Sequence, residues 1–87
     1  MNAFIQQMIN QKINSVTPEE LLRYGAQYGF QINPQQAKEI VSHFNGKHIN
    51  IFNDSERNKV INALSKTIDP NLVAEVNKLF LNFIKGN

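Results

Sequence analysis

The sequence contains no cysteine, which excludes a disulfide scaffold, a thiolate metal site and a thiol nucleophile. Two histidines are too few for most metalloenzyme schemes. No apolar run exceeds three or four residues, Leu79 to Leu81 being typical, so no segment reads as a membrane span. No basic segment followed by an apolar stretch opens the sequence, so no secretory signal is expected and the expected address is cytoplasmic. Charge is scarce as well, at 18% of residues against roughly 25% in an average globular domain. Thirteen Asn and seven Gln fill the gap. Amides keep a surface wet without building a strong field, which excludes a polyelectrolyte type of nucleic-acid binder.

What is present makes one small domain spanning 1–87. A chain this size buries only about 60–65% of the surface its unfolded form exposes. Its 41% hydrophobic content suffices for a core and is too high for a disordered tail. The net charge is +2, unevenly placed. Residues 1–45 carry three basic and three acidic groups, and residues 46–87 carry six and four.

The punctuation is that of helices. Thr17-Pro18-Glu19-Glu20 is a full start signal, with a capping threonine, proline at the first helical position and a glutamate able to reach back. Val16 and Leu21 form the matching hydrophobic staple. The pattern recurs sixteen residues on as Asn33-Pro34-Gln35-Gln36. Asn53-Asp54-Ser55-Glu56 and Asp69-Pro70 are further starts, and Gly29, Gly46 and Gly86 are stops.

These signals and the apolar spacing predict an all-α fold: a compact bundle of five short helices at about 3–14, 18–28, 34–45, 54–67 and 70–85. The apolar sets are Phe4, Ile5, Met8, Ile9 and Ile13, then Leu21, Leu22, Tyr24 and Tyr28, then Ala37, Ile40, Val41 and Phe44. Val60, Ile61, Leu64 and Ile68 line the fourth helix, and the fifth has an apolar arc too broad for one seam. Residues 47–52 read as an extended loop pinned by Ile49, Ile51 and Phe52 against the core, at least two of them buried. Gly25 interrupts the second helix, which predicts close approach of another helix or of the Phe52 loop at that point.

Candidate functional residues fall into three groups. Lys47, His48 and Arg57 should converge at the loop as a small anion site above an apolar floor. Lys47, Lys59 and Lys66 form a basic strip which, with the amide-rich helix 34–45, gives the reading of a DNA- or RNA-binding module. Phe80, Leu81 and Ile84 widen the arc of helix 70–85 into a surface for an unknown protein partner or a second copy of the chain. Lys12 and Arg57 fall where the period predicts burial, so each should send its head to water or to a partner group. The serines have no base arranged with them, and His43 and His48 miss the spacing of a helical metal pair. The carboxylates sit mainly at helix starts as caps. No catalytic residue, cofactor or metal is therefore expected, and the leading reading is a non-enzymatic protein-interaction module.

The string Pro18-Glu19-Glu20-Leu21-Leu22-Arg23-Tyr24, with Gln27-Tyr28-Gly29 and Gln36-Ala37-Lys38, resembles the YqfT-like family of small proteins of Bacillus-type bacteria. Gly46-Lys47, Ile49-Asn50-Ile51-Phe52, Glu56-Arg57 and Val76-Asn77-Lys78-Leu79-Phe80 fit the same pattern, which covers nearly the whole chain. The resemblance implies a stand-alone cytoplasmic protein of a low-GC bacterium. It implies no activity, cofactor or catalytic residue.

Overall fold

Each helix starts on a side chain that takes an orphan backbone donor. In the computed structural model, which describes residues 2–85, the elements are α1 (Ala3–Asn14), α2 (Pro18–Tyr28), α3 (Pro34–Ser42), α4 (Asp54–Leu64) and α5 (Pro70–Lys85). Asn2 accepts from the Ile5 N–H at 2.9 Å. Thr17 with Glu20 and Asn33 with Gln36 close complete capping boxes, as their spacing predicts. Asn53 caps α4 through the Glu56 N–H, but the Glu56 carboxylate does not return to the cap and is used elsewhere. Gly29 ends α2 in the left-handed region at φ 82°. The expected stop at Gly86 lies outside the described residues.

Two helices are shorter than the sequence predicts. α3 ends at Ser42 rather than 45, because the chain tightens: His43 and Phe44 donate to the carbonyls three residues back, at 3.1 and 3.0 Å. Such tightening satisfies the last carbonyls of a helix without extending it. Gly46 then turns the chain at φ 75°. α4 ends at Leu64 rather than 67, where Lys66 and Thr67 donate three residues back and Ser65 Oγ donates to the Asn62 carbonyl at 2.6 Å.

The core centres on Ala37, Ile40, Phe44, Ile51, Leu64 and Val76, all nearly inaccessible. Phe44 meets Phe80 edge to face, with centroids 5.4 Å apart, a favoured aromatic geometry. Val16 and Leu21 are both buried, the expected staple. Phe30, between α2 and α3, is a core residue the apolar spacing missed. The neighbour of Gly25 is this same 30–32 turn, not the Phe52 loop.

α1 departs most from expectation. Of its five apolar residues only Ile13 is buried, with Ile9 packed against the core. Phe4, Ile5 and Met8 are 69%, 42% and 55% exposed. Phe4 and Ile13 lie nine residues apart, two and a half turns, and so on opposite sides of the helix. The helix can seat one of those sides on the core, and it seats Ile13. Tyr28 is likewise exposed, at the end of α2.

Candidate functional site

The loop at 47–52 is held by asparagines. Asn10 and Asn14, one turn apart, share a face of α1. The Asn14 amide works as a surrogate backbone: Oδ1 accepts from the Ile49 N–H at 2.8 Å, and Nδ2 donates to the Ile49 carbonyl at 2.7 Å. Asn10 Oδ1 accepts from the Ile51 N–H at 3.0 Å, and its Nδ2 donates to Asn50 Oδ1 at 2.8 Å. Asn50 Oδ1 also accepts from the Phe52 N–H, closing a local turn. From the other side, Glu56 Oε1 accepts from the Asn50 N–H at 3.1 Å.

A lone extended segment has no neighbouring strand to satisfy its backbone, and a buried unpaired donor or acceptor costs about 1–3 kcal/mol. The side-chain amides of α1 supply the missing ladder. Ile51 is thereby fully buried, while Ile49 and Phe52 are half-buried against the core. One residue of the three, rather than two, is out of solvent.

Arg57 belongs to this framework. Its Nη1 donates to the Ile51 carbonyl at 2.9 Å and its Nη2 to Asp54 at 2.6 Å, with 14% of the side chain exposed. The guanidinium thus ties α4 to the loop through the carbonyl of residue 51, the partner group that its place in the apolar row of the helix calls for.

Of the remaining sequence candidates, Lys47 and His48 line different grooves. Lys47 is exposed and lines a shallow groove with His43, Glu56 and Lys59. His48, at φ 56°, lines a different groove against Gln7, Gln11 and Asn14 of α1. Arg57 lines neither. Lys66 is exposed in the turn beyond α4, so it does not continue the helical row of Lys59. On α5, Phe80 is buried against Phe44 and offers no surface, while Leu81 and Ile84 are half-exposed. Among the described residues no three His, Asp or Glu side chains come together to hold a metal.

The apolar feature that stands out lies at α1. A cleft of about 80 Å³ runs between α1, α2 and α5, bounded by Ile9, Ile13, Val16, Tyr24, Phe80 and Phe83. Tyr24 and Phe83 meet edge to face across it at 6.3 Å. Beside it, Phe4 and Met8 project from the opposite side of the helix. Apolar periodicity alone did not reveal this face, because a second apolar row on a short helix reads as a broader core stripe. The asparagine clamp was missed for a parallel reason. Its signal was present as two amides at i and i+4 beside the apolar row of α1.

Lys12 is exposed and pairs with Glu20, fastening α1 to the start of α2. The Lys12 hydrogen bond, followed by that from the Thr17 N–H, holds the Glu20 carboxyl below its ordinary 4.5. The same hydrogen bond raises Lys12 above its ordinary 10.5. A carboxyl depressed in the folded state stabilises above its unfolded value and loses that contribution as pH falls through the folded one. The lysine contribution is complete below about 10.5 and fades as pH rises beyond it. Glu20→Gln keeps an oxygen for the Thr17 N–H and removes the charge. The variant should therefore show a shallower loss of melting temperature below about pH 4.5 than the wild type. Parallel acid limbs in thermal melts would refute the pairing.

A family profile described as "Protein of unknown function (DUF2624)" matches residues 1–84. The chain is similar to the curated "Uncharacterized protein YqfT" of Bacillus subtilis (strain 168), with 36% identity over 78 residues, covering 90% of this chain and 93% of that protein. No solved structure matches.

Proposed function

The chain belongs to the DUF2624 family of proteins of unknown function, and we propose that it acts as a non-enzymatic, cytoplasmic protein-interaction module whose contact surface is the outer face of α1. One observation carries this reading. Phe4 and Met8 are 69% and 55% exposed on the side of α1 opposite its buried Ile13. Single exposed hydrophobic residues are ordinary, whereas two large ones a turn apart, with Ile5 beside them, form a contiguous patch of the kind that marks an interaction site. The anchoring of α1 supports the same role. Asn10, Asn14 and Lys12 fix the inner and lateral sides of the helix, so its outer face is presented on a held support. A preorganised surface loses less entropy on binding than a mobile one.

The surface first suggested on α5 contributes less, since Phe80 lies in the core. Of the basic strip, Lys47 and Lys59 line one groove, and Lys66 lies past the end of α4.

The test is site-specific photocrosslinking in the native host. A benzoylphenylalanine placed at Met8 should capture a protein as a discrete adduct, and the same group at exposed Ala26 on α2 should not. Adducts at neither position, or equally at both, would overturn the assignment of α1 as the contact surface.

A further inference from the structure

We propose that the turn after α3 is a site of self-modification, at which Asn45 cyclises onto Gly46 and is converted to aspartate and isoaspartate. Of the thirteen asparagines, Asn45 alone precedes a glycine. The Gly46 amide nitrogen, after losing its proton to hydroxide, attacks the side-chain carbonyl carbon of Asn45. A C–N bond forms, and the side-chain nitrogen leaves as ammonia. Water then opens the cyclic imide. Its attack at the side-chain carbonyl gives aspartate. Attack at the main-chain carbonyl gives isoaspartate, in which the backbone runs through the former side chain.

The fold leaves this asparagine open and locks its nearest rival. Asn45 is exposed, and among the described residues neither its side-chain amide nor the Gly46 N–H has a hydrogen-bond partner. Gly46 has no Cβ to shield its nitrogen, and a Cβ built there would meet nothing within 4 Å, so the peptide plane between the two residues has room to turn. Asn14 precedes Ser15, the next smallest neighbour after glycine to follow an asparagine here other than alanine. Both polar atoms of its amide are engaged with Ile49, and the Ser15 N–H donates to the Lys12 carbonyl at 3.3 Å. Isoaspartate adds one carbon to the main chain between two anchored points. Phe44 is buried, and its carbonyl accepts from the Lys47 N–H at 3.0 Å around the 45–46 bond. The added carbon breaks that closure, and the slack ends at Ile49, which Asn14 holds. The change runs one way and adds a carboxylate, taking one unit from the net charge of +2.

The test is incubation of the whole chain at mildly alkaline pH, native and unfolded in urea, followed by peptide mapping with mass spectrometry. Aspartate and isoaspartate should both accumulate at position 45. The ratio of the Asn45 rate to the Asn14 rate should be at least about fivefold larger in the native protein than in urea, because the fold locks Asn14 and leaves the turn free to open. Asn45→Gln, whose longer side chain closes a larger and slower ring, should end most of the ammonia release from the native protein. In the isolated isoaspartyl product, the Lys47 amide should exchange at least about fivefold faster than in the unmodified chain. An Asn45 that stays intact in the native protein while the unfolded chain reacts would overturn the proposal. So would aspartate without isoaspartate, an equal rate ratio in the two states, undiminished ammonia release from Asn45→Gln, or unchanged exchange at Lys47.

Discussion

An Asn14→Leu variant is expected to lose about 2–4 kcal/mol of unfolding stability, the net of two opposed effects. Leucine is the better helix former by about half a kcal/mol. Against that, the Asn14 amide accepts from the Ile49 N–H and donates to the Ile49 carbonyl, at 2.8 and 2.7 Å, and leucine can do neither. Each part-buried backbone group left unpaired costs about 1–3 kcal/mol, so the loss dominates. Gln7→Leu, at an exposed position two turns earlier in the same helix, supplies the control and should change stability by no more than about 0.5 kcal/mol. Urea titration of both variants gives the difference. Hydrogen exchange should report its origin: the amides of Ile49 and Ile51 lose protection in Asn14→Leu well before the amides of α3 do. An Asn14→Leu protein as stable as the Gln7 control would show that the clamp does not hold the loop.

The clamp also shows how far the sequence could be read. Thr17, Asn33 and Asn53 announce helix starts through local chemistry that completes within four residues, and all three cap as their spacing demands. The pinning of the 47–52 loop was legible for the same kind of reason: isoleucines in a connection have no purpose in water, and Ile51 is buried. What satisfies that loop is 35 to 41 residues away in sequence, and no local pattern encodes a partner at that distance. The ends of α3 and α4 were overrun because apolar periodicity continues through Phe44 and Ile68, both buried. Tight turns can carry a core residue as well as a helix can. Arg57 illustrates the limit on site prediction. The sequence shows that a guanidinium near the core must reach water or a partner group, and no local pattern says which. The fold chose the Ile51 carbonyl and Asp54, which makes the residue a tie rather than an open anion site. The outer face of α1 was hidden by its own composition, since five apolar residues on one short helix look like a wide core stripe until the helix is docked.

Gly25 carries the other large expected effect. A Cβ built there would stand 2.9 Å from Ile32 Cγ2 and 3.0 Å from the Phe30 carbonyl oxygen. The two contacts differ in how readily they give. Ile32 is half-buried and can move the tip of its side chain, whereas the Phe30 oxygen belongs to backbone whose own N–H donates to the Gly25 carbonyl at 2.9 Å. That hydrogen bond closes the end of α2 and sets buried Phe30 into the core, so the carbonyl cannot retreat without disturbing both. Alanine gains about 0.5–1 kcal/mol from helix propensity and loses about 1–3 kcal/mol to overpacking. The expected net effect of Gly25→Ala is therefore destabilising, by roughly 1–2 kcal/mol. Gly25→Leu must place three further carbons against the same wall and should cost at least about 3 kcal/mol, enough to leave a chain this small largely unfolded at 37 °C. Circular dichroism melts of the two variants, read beside Ala26→Leu at the exposed neighbouring position, separate the close contact from helix propensity. Ala26→Leu should hold its melting temperature and Gly25→Ala should not. A Gly25→Ala protein that melts at or above the wild type would mean that the 30–32 turn yields, and that the glycine is not required by the approach of that turn.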